Sequence, residues 1–167
     1  MERPFYSMAR QADVGSLKPS VFDRLIDLDP QTTSEVGGDR YSLNELRAAV
    51  RRDLEALLNT RKLVIDLPAS SELNRSILTY GIPEVAMVNL SDANEMVGLR
   101  KAIEDTIRLF EPRFLDVAVS IEPPGSTDRS LRFKIEARLD LNPEPEPLVF
   151  DSVLLASSGA ISVVEAK

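Results

Sequence analysis

The chain has 167 residues, of which 43% are hydrophobic, and this composition predicts a single globular domain with a hydrophobic core. It contains no cysteine and no histidine, which excludes disulfides, thiolate chemistry, cysteine-based metal sites and histidine-based catalysis. The formal net charge of −7 argues against nucleic acid as the main partner, because phosphate binding requires a positive surface. We expect neither a signal peptide nor direct membrane insertion, since no segment is long and apolar enough, and we expect a cytoplasmic protein.

The N-terminal residues 1–18 carry no sustained hydrophobic period, and they include Pro4 and Gly15. We predict that they form a flexible arm and that residues 19–167 form one α+β domain. Residues 20–27 predict a short helix, and a polar loop follows over residues 31–41.

The first long helix is predicted from residue 43 onward. Ser42 and Glu45 have the spacing of a capping box, and leucine and valine residues then recur at helical spacing. We expect the helix to end near Asn59, a residue that tolerates the left-handed cap conformation. Residues 63–65 predict a short strand, residues 73–78 a short helix, and residues 80–83 a turn.

The second long helix is predicted to begin after Ser91 or Asp92 and to end at about Phe110. Five apolar residues form its buried stripe: Met96, Leu99, Ile103, Ile107 and Phe110. Glu104 and Arg108 lie one turn apart on the side predicted to be exposed. Pro112 disfavours helical geometry at Glu111, so the helix should end there.

A β-hairpin should follow this helix, because the apolar residues change to a period of two. Leu115, Val117, Val119 and Ile121 are predicted to face the core, as are the odd residues from 131 to 141. Opposite charges favour a register that pairs Asp116 with Arg138 and Glu122 with Arg132. Residues 148–155 and 161–164 predict two more strands after the proline-rich residues 142–147, which cannot continue a ladder in full. The predicted fold is two main helices packed on a small, mainly antiparallel sheet with one open edge.

Two charged segments are candidates for partner binding. The charges of residues 50–62 follow the helix face opposite the leucines, which is equally consistent with an ordinary solvated face. Glu111 opposes the dipole at the C-terminus of the second helix, so Arg108 or Arg113 should compensate it. Either Glu111 and Arg113 form an internal pair, or the rigid Pro112 presents them to a partner.

The chain resembles a known family in four motifs that occur in the family's order. These are residues 20–25, residues 57–61 (Leu-Leu-Asn-Thr-Arg), residues 80–83 (Tyr-Gly-Ile-Pro) and residues 110–113 (Phe-Glu-Pro-Arg). They are similar to TssE, the small baseplate subunit of type VI secretion systems, and to the baseplate wedge protein of contractile-tailed phages. That phage family carries the historical label "lysozyme-like". Glu84 departs from the family pattern, in which an aspartate is usual.

The resemblance implies a structural protein with no cofactor and no bound metal. It would lie at the membrane-docked baseplate of a Gram-negative bacterium, join the wedge subunits TssF, TssG and TssK, and attach the sheath proteins TssB and TssC. The family's Glu-Pro-Arg motif contacts the wedge core, and its terminal strands are similar to those that pair with sheath strands. We therefore expect partner contacts at six residues: Glu111, Pro112, Arg113, Arg61, Asn59 and Val163.

Two other functions compete with a structural role. A peptidoglycan-degrading glycoside hydrolase needs two carboxyl groups, one of them protonated, and the best pair is Glu111 with Asp116 or Glu104. The flanking arginines favour an ionised Glu111, which is wrong for a general acid, and the chain has no tryptophan to bind a sugar. The other alternative is a soluble adaptor unrelated to secretion, against which only the order of the motifs argues.

Overall fold

The structure, a computed structural model, describes residues 23, 42–65, 67–68, 70–85, 88–89, 92–122, 130–154 and 160–166. The predicted arm lies outside these residues, as does the predicted short helix of residues 20–27, except for Asp23. The described elements are two α-helices and four β-strands: α1 (Leu43–Asn59), α2 (Ala93–Phe110), β1 (Phe114–Glu122), β2 (Leu131–Leu139), β3 (Glu146–Leu154) and β4 (Ile161–Glu165). The strands form one antiparallel sheet in the order β1-β2-β3-β4. The predicted α+β fold is confirmed.

Both helices begin at the predicted caps. The Ser42 N–H donates to the Glu45 carboxylate at 2.8 Å, and the Glu45 N–H donates to Ser42 Oγ at 3.2 Å. The Ser42 hydroxyl also donates to the Glu45 carboxylate at 2.7 Å, and this bond, together with that from the Ser42 N–H, holds the pKa of Glu45 below its usual value. Asp92 caps α2 by accepting from the Asn94 N–H at 2.8 Å. Helix α1 ends at Asn59 as predicted, but the left-handed cap is wrong, because no described residue other than Gly81 has a positive φ.

The prediction that Glu104 lies on the exposed side of α2 is wrong. The pair of Glu104 with Arg108 is present at 2.8 Å, but Glu104 is only 9% exposed and does not lie on a solvated face. Arg100 also contacts it at 3.0 Å, and Arg108 donates to the Val117 carbonyl oxygen at 2.7 Å. The charges therefore join α2 to the outer edge of β1.

The charge-based register of the β1–β2 hairpin is confirmed. Asp116 lies opposite Arg138, and Glu122 lies opposite Arg132. Leu115 was predicted to face the core but is 51% exposed, because the register shifts between Phe114 and Asp116. Such an irregularity moves one residue off the alternating pattern, and Phe114 packs against the core instead.

Strand β3 begins at Glu146, two residues before the predicted start, and it includes Pro147. The Ala166 N–H donates to the Val149 carbonyl oxygen at 2.8 Å, so the backbone N–H and C=O groups of Val149 point toward β4. In an antiparallel ladder the same holds for every second residue of β3. The backbone nitrogen of Pro147 points to the same side, but Pro147 lies beyond the end of β4. Its missing N–H therefore costs no ladder hydrogen bond.

Residues 63–65 do not form the predicted strand. Val64 is 99% exposed, and the one isolated bridge among the described residues joins Arg61 to Ile82, before the apolar segment begins. Two short 3₁₀ helices, Glu72–Arg75 and Ile77–Thr79, take the place of the single short helix predicted over residues 73–78.

The core lies between the two helices and one face of the sheet. Apart from Ile82 in the turn, the large apolar side chains that are fully buried come from α1, α2 and alternate residues of the strands: Val50, Leu54, Leu58, Ile103, Ile107, Leu131, Ile135, Leu139, Phe150 and Val163. Burying such side chains contributes about 1.5–3 kcal/mol each, so this layer holds the ends of α1 and α2 in place. Those ends carry the motif residues.

Candidate functional site

The junction between α2 and β1 contains Glu111, Pro112 and Arg113. Glu111 ends the helix in a non-helical conformation, with φ −118° and ψ 78°, as expected for a residue before proline. Its N–H still donates to the Ile107 carbonyl oxygen at 2.8 Å. Pro112 is exposed, whereas Glu111 is only 4% exposed.

Arg113 closes this junction by pairing with two carboxylates. Its Nε donates to Glu111 Oε1 at 2.5 Å, its Nη2 contacts Glu111 Oε2, and the same Nη2 donates to Asp53 Oδ2 at 2.7 Å. Burial alone would lower the pKa of Arg113, but the hydrogen bonds and charges of Glu111 and Asp53 raise it above its usual value. The arginine is held in its charged form between helix α1 and the junction.

The ion pairs continue from the junction to the N-terminal part of the chain. Arg52 donates to Asp53 at 2.8 Å and to Asp23 at 2.6 Å. Tyr80 packs edge to face on Phe110 with ring centroids 5.1 Å apart. Burial raises the pKa of Tyr80, and the charges of Asp53 and Glu111 raise it further. Residues from all four family-like motifs or their neighbours therefore meet in one region.

The choice between Arg108 and Arg113 as the counterion of Glu111 is now resolved. Arg113 takes this role, and Arg108 binds Glu104 and the Val117 carbonyl instead. Glu111 and Arg113 face each other within this chain. The predicted contact of these residues with a partner stays a prediction, and Pro112 together with the exposed quarter of the Arg113 side chain is the surface such a partner would meet.

Asn59, Thr60 and Arg61 lie where α1 meets the Tyr-Gly-Ile-Pro turn. The Ile82 N–H donates to the Thr60 carbonyl oxygen at 3.0 Å, and the Lys62 N–H donates to the Ile82 carbonyl oxygen at 2.9 Å. Gly81 has φ +104°, and a Cβ there would lie 2.3 Å from the Thr60 oxygen. Only glycine fits this position, and it allows the two motifs to lie directly against each other.

Arg61 is held by neighbouring groups of the same turn. Its Nη1 donates to the Leu58 carbonyl oxygen at 3.2 Å, and its Nε lies 3.3 Å from Glu84 Oε2. The glutamate that departs from the family pattern is thus the ion-pair partner of Arg61. Partner binding by Arg61 stays a prediction.

Asn59 binds the edge of β4 with its side-chain amide. Nδ2 donates to the Ile161 carbonyl oxygen at 2.8 Å and to the Glu55 carbonyl oxygen at 2.7 Å. Oδ1 accepts from the Ile161 N–H, also at 2.8 Å. Both backbone groups of Ile161 therefore point away from β3, toward the end of α1.

Val163 has its side chain in the core and its backbone at the open edge of the sheet. In an antiparallel ladder, residues two apart turn their backbone groups to the same side, so Val163 faces outward as Ile161 does. Arg51 Nη1 reaches the Val163 carbonyl oxygen at only 3.5 Å. The predicted open edge is present at this residue.

The three carboxylates considered for glycoside hydrolysis are each bound by arginine. Glu104 pairs with Arg100 and Arg108, Glu111 pairs with Arg113, and the exposed Asp116 pairs with Arg138. A glycosidase requires one carboxyl group that carries a proton, whereas the hydrogen bond from Arg138 holds the pKa of Asp116 below its usual value. Within the described residues, no group of acidic side chains has a metal-binding arrangement. No helix among those residues could cross a membrane.

Sequence reasoning missed Asp53 and Arg51 as members of these regions. Both lie in the charged segment that is equally consistent with a solvated helix face, and each bonds to a residue more than 50 positions away. No spacing rule within the helix could have indicated those partners.

A family model for baseplate wedge protein gp25 matches residues 44–144. The match includes α1, the Tyr-Gly-Ile-Pro turn, α2, the Glu-Pro-Arg junction and the first two strands. Searches of curated proteins and of solved structures gave no match.

Proposed function

This chain belongs to the family of baseplate wedge protein gp25, a family of structural proteins, and on that premise we propose that it serves a type VI secretion baseplate as its TssE subunit. In this role it joins the wedge subunits TssF, TssG and TssK and attaches the first ring of the TssB–TssC sheath. It works on the cytoplasmic side of the envelope of a Gram-negative bacterium. The observation that carries the proposal is the family match over more than half of the chain.

Wedge binding is assigned to the exposed face of the α2–β1 junction. The Glu111 and Arg113 charges satisfy each other and Asp53, so a partner does not need to neutralise them. It meets a rigid surface formed by Pro112 and the outer part of Arg113. Such a preorganised surface lowers the entropy lost on binding.

Sheath attachment is assigned to the outer edge of β4. The backbone groups of Val163 and Glu165 face away from β3, and an extended segment can pair with such groups by adding a strand. The buried Val163 side chain fixes the strand that offers them.

Co-purification with wedge subunits tests the first assignment. Pro112→Asp places a charge on the exposed junction without removing an internal ion pair, and it should abolish co-purification with TssF and TssG. Pro68→Asp, which also changes an exposed proline, should leave co-purification unchanged. Normal wedge binding by a folded Pro112→Asp protein would show that the junction is an internal brace and no docking surface.

Two proline variants test the second assignment. Val163→Pro removes an N–H that faces away from β3, so it should keep the sheet but lose TssB–TssC binding. Val164→Pro is the matched control, because its N–H faces Asp151 of β3, and it should unfold β4. Unimpaired sheath binding by Val163→Pro would contradict attachment through this edge.

A further inference from the structure

Helix α1 runs along the outer edge of β4, in the opposite direction, and its contacts with the β4 backbone weaken from one end to the other. Asn59 bonds directly to the Ile161 backbone at 2.8 Å, and Arg51 reaches the Val163 carbonyl oxygen at 3.5 Å. Near the C-terminal end of β4, Arg47 contacts side chains and, among the described residues, no backbone group: it lies 3.5 Å from the Glu165 carboxylate and also pairs with Glu146 of β3. The helix therefore bonds the β4 backbone closely at one end, whereas at the other end it is joined to the sheet through side chains alone.

At Ile161 the Asn59 amide takes the place of a neighbouring strand. A residue of an added antiparallel strand would donate one N–H and accept one N–H from the same β4 residue. The Asn59 side chain does both, since it bonds the Ile161 carbonyl oxygen and the Ile161 N–H at 2.8 Å each. Ile161 therefore has no free backbone group to offer to a partner strand.

From Val163 onward the edge offers such groups. Among the described residues, no hydrogen bond is formed by the Val163 N–H or by the backbone groups of Glu165 on this side. A groove of about 1230 Å³ begins beside Glu165 and continues over the exposed face of the sheet; Arg47, Ala48 and Arg51 line its helical side, and its other side is lined by residues of all four strands, which are Glu122, Lys134, Pro147, Val149, Asp151, Val164 and Glu165.

We infer that Asn59 is a stop that sets the register of strand addition. The partner is an extended segment of the sheath protein that pairs with Val163 and Glu165 and ends before Ile161. Arg51, held only by contacts of 3.4 and 3.5 Å, is free to turn toward an acidic side chain of that segment. This inference rests on the proposed attachment of the sheath through β4. Its new content is the residue of β4 at which pairing with the added strand stops.

Cysteine crosslinking tests this register, since the native chain has no cysteine. Ala160→Cys and Val164→Cys place thiols on exposed residues on the two sides of the proposed stop. Each is combined with TssB–TssC carrying single cysteines along its terminal segments, under mild oxidation. Val164→Cys should form a disulfide at least about tenfold faster than Ala160→Cys, because only the paired part of the strand brings Cβ atoms close together.

Equal crosslinking at both positions would show that the strand continues past Asn59, which overturns the stop. If neither position crosslinks while the two proteins still co-purify, the sheath binds elsewhere and strand pairing on β4 is wrong. A failure to co-purify at all would instead refute the proposed sheath attachment itself.

Asn59→Ala in the Ala160→Cys background assigns the stop to the amide. Its removal frees both backbone groups of Ile161, so the crosslink at position 160 should increase several-fold. A crosslink that stays absent in this folded variant would contradict a role for Asn59.

Discussion

The α2–β1 junction and the β4 edge are both bound by polar side chains of α1, but they differ in how completely their own groups are paired. At the junction, Arg113 binds Glu111 and Asp53, and a buried carboxylate has a charged partner. At the edge, Asn59 pairs both backbone groups of Ile161, while Val163 and Glu165 keep groups that face outward. A fully paired charge cluster stabilises the fold, whereas an incompletely paired edge remains available to a partner.

The largest effect is expected at Gly81, which packs against Thr60 at the end of α1, next to Asn59. Gly81→Ala should lower the free energy of unfolding by about 4 kcal/mol, because the new Cβ overlaps the Thr60 oxygen and the positive φ is strained. Gly98→Ala is the control: no atom lies within 4 Å, and it should stabilise α2 by about 0.5–1 kcal/mol. Urea denaturation measures both changes in stability. A midpoint for Gly81→Ala equal to that of the native chain would refute the close contact of Gly81 with the Thr60 oxygen.

Arg113→Ala tests the α2–β1 junction. It should cost about 3 kcal/mol, because it leaves the Glu111 carboxylate buried without its counterion. Combining it with Glu111→Gln should recover part of the loss, since no buried charge then remains. An unchanged urea midpoint for Arg113→Ala would mean that the pair contributes nothing to folding, and that its charges serve binding alone.

Asn59→Ala tests the β4 edge, and its effect on the free energy of unfolding should be smaller. Loss of the amide should cost about 1–2 kcal/mol, because two partly buried backbone groups of Ile161 lose their partners. Amide hydrogen exchange at Ile161 should accelerate while exchange in α2 stays unchanged. Unchanged protection at Ile161 would show that another group covers this end of β4.

The sequence predicted what local patterns determine and missed what distant contacts determine. The caps at Ser42 and Asp92 and the register of Asp116 with Arg138 follow from short spacings, charge and alternation. The exposed Leu115 follows from a register shift that leaves no mark in the apolar pattern.

The candidate site shows the same division. Glu111 and Arg113 are two residues apart, and their pairing was one of two open alternatives. The contact of Asp53 with Arg113 and that of Asn59 with Ile161 join residues far apart in sequence, on surfaces that ordinarily face water. Only the packing of α1 against the sheet brings them together.

The smallest effect is expected on the solvated face of the sheet, away from both regions. The hydrogen bond from Arg138, with its charge, holds the pKa of Asp116 below its usual value. The stabilisation of the fold by the Asp116–Arg138 pair is therefore present above the unfolded-state pKa of Asp116. It is lost as the pH falls through the folded-state pKa of Asp116. An NMR titration of Arg138→Ala should show the Asp116 pKa rising toward its usual value, and no change would contradict the pairing.

The most direct test of the account is a cryo-electron microscopy structure of the assembled baseplate bound to its first sheath ring. We expect this chain in the wedge, with a sheath strand beside Val163 and Glu165 and the bonds between Asn59 and Ile161 intact. A sheath that contacts another surface, with no strand added to β4, would contradict it.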